Sequence, residues 1–157
     1  MNQMSQQIVA TNRKARHEYF IDRSYEAGIE LFGAEVKSLR ARNVSLNESF
    51  ARIEDGQVWI HGMHISPYAN AAEALQPDPL RKRRLLLRKR EISALERQVR
   101  QKGYTLIPLR LYFNPRGYAK VELALCRGKR QYDKREAIAK KDMQREAERT
   151  RRELEKR

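Results

Sequence analysis

A chain of 157 residues suffices for one domain with an extension and is too short for two full domains. Its 34 Lys and Arg outnumber 20 Asp and Glu, a formal net charge of +14, which points to a polyanionic partner. No apolar run reaches the length of a spanning helix, no signal peptide is read at the start, and the lone Cys126 permits no intramolecular disulfide, so the expectation is a cytoplasmic, membrane-free protein without structural disulfides.

In chain order, residues 1–10 are Gln-rich and polar, and disorder is expected there. Residues 11–16 form a basic arm. Residues 17–31 read as extended, with Gly28 marking a bulge or bend. Residues 33–41 read as a short helix, with Val36 and Leu39 on one face and Lys37 and Arg40 beside it. A hairpin over residues 49–54 and 57–63 turns at Asp55-Gly56, and a Pro-containing loop covers 66–79. Residues 81–90 hold seven basic side chains around Leu85, Leu86 and Leu87. A helix over 89–102 presents Ile92, Leu95 and Val99, with Gly103 as its exit.

The second hairpin has the plainest alternation. Thr105, Ile107, Leu109, Leu111 and Phe113 share one face, residues 114–117 turn, and Ala119, Val121, Leu123 and Leu125 return. Arg110, Tyr112, Tyr118, Lys120 and Glu122 form a wet opposite face, and Cys126 reads as a small buried or half-buried filler. The fold class is therefore mainly β with α: a small antiparallel, closed or partly closed barrel with flanking helices. Residues 11–128 form this domain. The remaining tail, 129–157, has twelve basic and seven acidic residues and little apolar surface. It cannot offset roughly 1–2 kcal/mol of backbone entropy per residue, so it is expected to be disordered until bound. Its Ala, Glu, Lys and Arg content favours a helix once a partner supplies surface.

Catalysis has little support. Gly103, Gly117 and Gly128 are isolated, not a phosphate-binding loop, and the serines lie in no nucleophile motif. His61 and His64 would not share a strand face, and no cysteine or carboxylate cluster completes a site. No enzyme activity, metal or cofactor is expected. Asn12, Arg13, Lys14, Ala15, Arg16 and His17 instead gather amide, guanidinium, ammonium and imidazole donors suited to RNA; they also read as a solvated arm. Lys37, Arg40 and Arg42 extend the basic charge, or form an ordinary soluble face. The 81–90 run reads as a polyanion contact, or as charges guarding a strand, and at least one of its leucines must face outward. Tyr132, alone among charges, serves either base stacking or the first turn of an induced helix.

Taken together, these segments resemble the small protein B family, the tmRNA-binding (SsrA-binding) proteins of bacterial trans-translation. The carriers run in order from Asn12 to Tyr19, through Tyr25-Glu26-Ala27-Gly28, Gly33 to Arg40, Asp78-Pro79 and Arg84-Leu85-Leu86-Leu87. They continue with Gly117 to Val121, Gly128-Lys129-Arg130 and Asp133-Lys134-Arg135. The resemblance implies an OB-like barrel and a monomeric adaptor. Such an adaptor binds the tRNA-like domain of tmRNA and delivers alanyl-tmRNA, with elongation factor Tu, to the A site of stalled ribosomes. Its tail would turn helical in the empty mRNA channel, and the nascent chain would be tagged and the ribosome released. The implied tmRNA contacts are Asn12, Glu26, Leu86 and Lys120, with Arg13, Lys14, Arg16, His17, Lys37 and Arg84 beside them. The implied ribosome contacts are Gly128, Lys129, Arg130, Tyr132, Asp133, Lys134 and Arg135. Glu26 is unusual for RNA binding: it could accept from a guanine edge or a ribose hydroxyl, or orient the arm. Two alternatives are a ribosomal protein or translation factor with an OB-type barrel bound to rRNA, and an RNA hydrolase built on His61 and His64.

Overall fold

The computed structural model describes residues 6–68, 76–129, 141, 143–152 and 154. The elements are β1 (Gln7–Thr11), α1 (Arg13–Glu18), β2 (Tyr19–Ile29), α2 (Gly33–Arg40), β3 (Val44–Ser45), β4 (Phe50–Glu54), β5 (Gln57–His61), β6 (His64–Ile65), β7 (Arg83–Leu86), α3 (Lys89–Val99), β8 (Tyr104–Phe113) and β9 (Ala119–Gly128). The fold is mainly antiparallel β-sheet, with strand order β1-β8-β4-β5-β7-β2-β9 and a small separate β3–β6 pair. β8 also pairs with β9, so the pairings return on themselves through β4, β5, β7, β2, β9 and β8. The circuit is narrowest between β4 and β8, joined at Ala51 and Leu106.

Local chemistry accounts for most elements. Asp55 and Gly56 both have positive φ (51° and 73°), which a two-residue turn needs to match strand twist, and β4 and β5 pair in register on either side. In α3, Ile92 and Leu95 are buried and Val99 packs on the core. The core gathers alternate residues from the paired strands: Val58 and Ile60, Leu85, Ala27 and Ile29, and Val121, Leu123 and Leu125. Cys126 is buried, as expected, and burial pushes its thiol pKa up to about 12.

Three sequence expectations change. Residues 7–10, expected to be disordered, form β1 together with Thr11 against β8, from Gln7 opposite Phe113 to Thr11 opposite Arg110. A short apolar Ile8-Val9-Ala10 segment can add to an open strand edge even when its flanks are polar. Next, the β8 residues expected on one face are divided. A register shift between Pro108 and Arg110 leaves Leu109 as an extra residue. Leu106, Leu111 and Phe113 face the main core, while Ile107 and Leu109 join Ala15, Ala124 and Cys126 in a second cluster. One inserted residue reverses the side-chain alternation, and proline in a strand marks a place that tolerates it. The outward face of this hairpin is therefore covered by Ala15 of α1 at Ile107, Leu109, Ala124 and Cys126. Finally, the described tail residues 141, 143–152 and 154 are helical, with Met143 and Leu154 exposed. Helix propensity is thus expressed without apolar burial along this stretch.

Candidate nucleic-acid interface

β2 organises the outward face of the sheet. Gly28 lies opposite Leu86 of β7 on one side and Lys120 of β9 on the other. Lys120 in turn lies opposite Tyr112 of β8. Two residues back along β2, Glu26 lies opposite Glu122, and Glu122 opposite Arg110. Side chains two residues apart share a sheet face, so Glu26, Leu86 and Lys120, remote in sequence, fall on one outward patch. A Cβ on Gly28 would stand 3.3 Å from the Leu86 Cβ, so glycine here lets Leu86 lie across the strand. Leu85 points inward at 0% exposure and Leu86 outward at 45%, which identifies the outward leucine. Arg84 shares the Leu86 face and bonds Glu30.

The charges on this patch are ordered. The Tyr112 hydroxyl donates to Glu26 Oε2, and Arg110 pairs with Glu122 while its guanidinium lies 5.0 Å from the Tyr112 ring centre. Burial first, and then the bond to Glu26, push the Tyr112 phenol pKa well above its ordinary value, so it stays a donor. Sequence reasoning assigned Tyr112 to the wet face and missed this role. The tyrosine is 3% exposed, and its partner is 86 positions away.

The basic arm is a helix lying on the same outward face, over Ala124 and Cys126. Asn12 is not an exposed contact. It is 3% exposed, its Oδ1 accepts from the Ala15 N–H at 3.3 Å and its Nδ2 donates to the Pro108 carbonyl at 3.0 Å. It caps α1 and ties the arm to the β8 bulge. Arg13, Lys14, Arg16 and His17 are exposed, with Lys14 paired to Glu48 at 2.9 Å. Lys129, at the root of the tail, donates to the Arg16 carbonyl at 2.9 Å and so joins the tail's origin to α1. Gly128 ends β9 opposite Tyr19. Arg130, Tyr132, Asp133, Lys134 and Arg135 lie outside the described residues. Lys37 is exposed on α2, outside this patch, 5.4 Å from the Tyr68 ring centre.

Much of the 81–90 run faces inward or is paired, against the expectation of a continuous polyanion contact. Arg83 is fully buried; it donates to Glu35 Oε2 at 2.7 Å, the Met63 carbonyl at 2.6 Å and the Pro79 carbonyl at 3.1 Å. Arg81 also bonds Glu35, and Lys82 reaches Glu54 at 2.9 Å. Burial alone would raise the Glu35 carboxyl pKa, but hydrogen bonds from Arg81, the Phe32 N–H and Arg83 hold it below its ordinary value. Glu35, placed by α2, is thus a structural anchor for the basic segment. His61 bonds Glu54 at 2.9 Å and stacks on Phe50, while His64 is exposed on β6, so the two imidazoles do not converge. Among the described residues, no three His, Cys, Asp or Glu side chains are grouped to hold a metal ion. No helix among them is long and apolar enough to cross a membrane.

Residues 9–153 match the model of the family described as SmpB protein. The chain is 55% identical over 149 residues to the SsrA-binding protein of Moorella thermoacetica, covering 95% of this chain and 96% of that protein. It is 58% identical over 135 residues to the SsrA-binding protein of Caldicellulosiruptor bescii, covering 86% of this chain and 84% of that one. A chain of a solved structure described as "tmRNA-SmpB: a journey to the center of the bacterial ribosome" aligns with a TM-score of 0.64 and 53% identity, covering 82% of this chain and 92% of that one. With a family match across nearly its whole length and relatives above half identity, the chain belongs to the SmpB protein family.

Proposed function

We propose that this protein is the RNA-binding adaptor of trans-translation: it binds the tRNA-like domain of tmRNA and carries alanyl-tmRNA to the A site of stalled ribosomes. The observation that supports this most is the outward patch of Glu26, Leu86 and Lys120 beside the basic face of α1. A cation, an exposed apolar side chain and a fixed acceptor together suit a folded RNA better than a featureless phosphate surface. The closed circuit of strands reads as a small OB-like barrel over residues 11–128, extended by β1, occupying the space of a missing anticodon arm. The tail, 129–157, reads as the ribosome-facing part, seated as a helix in the empty mRNA channel with Lys129, Arg130, Tyr132, Asp133, Lys134 and Arg135 near its root. Elongation factor Tu would join through the alanyl-tmRNA. The role is non-catalytic, and the setting is the cytoplasm.

The test is a gel-shift competition at near-physiological salt, with labelled tRNA-like domain against excess tRNA and duplex RNA. Retained binding to the tRNA-like domain is expected. Equal competition by every RNA would favour an rRNA-binding protein of similar fold instead, because charge-driven affinity does not discriminate. Deleting residues beyond Gly128 is expected to leave affinity for free tmRNA nearly intact while abolishing tagging in a reconstituted translation reaction. A large loss of free tmRNA binding would refute that division of labour.

A further inference from the structure

Tyr112 combines features that packing alone does not explain. It is 3% exposed, yet its hydroxyl reaches the exposed Glu26 and donates to Oε2. No other hydrogen bond to Glu26 is present among the described residues, which leaves Oε1 free. Glu26 and Glu122 are direct cross-strand partners, and like charges placed opposite each other destabilise a sheet. The arrangement stands because each carboxylate has its own donor: Tyr112 for Glu26 and Arg110 for Glu122. The ring that carries the hydroxyl is itself held, with Arg110 over it and Ile8 of β1 and Lys120 of β9 as its strand neighbours.

We propose that Tyr112 is a positioning residue for RNA recognition: it fixes Glu26 so that one carboxylate oxygen stays bound to the phenol and the other is presented as an acceptor for a donor-bearing base edge. This rests on the reading of Glu26 as an RNA contact. A freely rotating glutamate loses side-chain entropy when it binds, whereas one already held loses less. A carboxylate repels phosphate and accepts from a base N–H or a ribose hydroxyl; the apolar Leu86 beside it favours the base N–H. Leu86, 45% exposed on the same patch, supplies apolar surface for the face of that base. Lys120 supplies a cation for the neighbouring phosphate. The patch thereby selects an unpaired, donor-bearing base next to backbone, a feature of folded loops and absent from uninterrupted duplex.

The experiment is a binding cycle with the full chain, using labelled tRNA-like domain and a duplex RNA of equal length. The proteins are the wild type, Tyr112→Phe, Glu26→Gln and the double variant. Phenylalanine keeps the ring beneath Arg110 and removes the hydroxyl alone. Tyr112→Phe is expected to weaken binding to the tRNA-like domain about tenfold, the scale of one hydrogen bond to a charged group, and to leave duplex binding unchanged. In the Glu26→Gln background the same change should cost less than about twofold, because the two residues act as one unit. An unchanged affinity for Tyr112→Phe, equal losses on both RNAs, or additive losses in the double variant would overturn the proposal while leaving the adaptor reading in place. A wild-type chain with no preference for the tRNA-like domain would overturn that reading and the proposal together.

Discussion

Two clusters of charge on this molecule use the same kinds of side chain in opposite ways. Around Glu35, the carboxylate accepts from Arg81, Arg83 and the Phe32 N–H, and Arg83 also donates to two backbone carbonyls. Glu35 and Arg83 are enclosed, at 2% and 0% exposure. Around Glu26, a single phenol holds one oxygen, with exposed Leu86 and half-buried Lys120 beside it. The first cluster is satisfied within the chain, so it determines where β7 lies against α2. The second is organised and incomplete, which is the condition of a surface built to meet a ligand. Density of basic residues does not distinguish them: the 81–90 run is the more basic segment, and its Arg83 is fully buried.

The comparison breaks most visibly at Glu35. Glu35→Ala leaves Arg83 buried without its carboxylate and is expected to destabilise the fold by about 3–5 kcal/mol, measured as a loss of unfolding free energy in denaturant. A loss below about 1 kcal/mol, the range of surface ion pairs, would show the network to be dispensable.

Acid titrates the same cluster. The Glu35 carboxyl pKa is held down in the folded chain. Its stabilisation is therefore fully present above the unfolded value of about 4.3 and is lost as the pH falls below that value toward the folded one. In that window the unfolded chain binds more protons. Thermal melts of the wild type and Glu35→Gln should differ by a constant amount from pH 7 to about 5, and the difference should shrink below about 4.3. A difference that grows on acidification would reverse the assignment.

The smallest effect is expected at the open cluster. Lys120→Ala should leave stability nearly unchanged and weaken binding to the tRNA-like domain by about 1–2 kcal/mol if it makes a charge-assisted contact. No change in affinity would remove Lys120 from the interface. A matching loss of stability would make the patch resemble the Glu35 cluster after all.

The limits of sequence reasoning fall along the same division. The Asp55-Gly56 hairpin and the α3 stripe were legible because each depends on residues close together in the chain. Ordered motifs also placed Glu26, Leu86 and Lys120 among the candidate contacts. Asn12 was legible as a candidate contact but not as the tie between α1 and β8, because that partner, the Pro108 carbonyl, lies 96 residues on. The β8 bulge hid the split of its apolar face, since a strict two-residue period assumes an unbroken register.

By itself the amino-acid sequence determined the charge, the hairpins, the helix stripe and the helix-forming tail. These are properties of composition and local periodicity, and any fold of this chain would carry them. Tertiary structure alone decided which charges are satisfied and which are left open: Arg83 inward on Glu35, Tyr112 beneath Glu26, and Leu86 turned outward across Gly28. Those outcomes depend on strand register, which brings together residues dozens of positions apart and assigns each side chain to one face or the other.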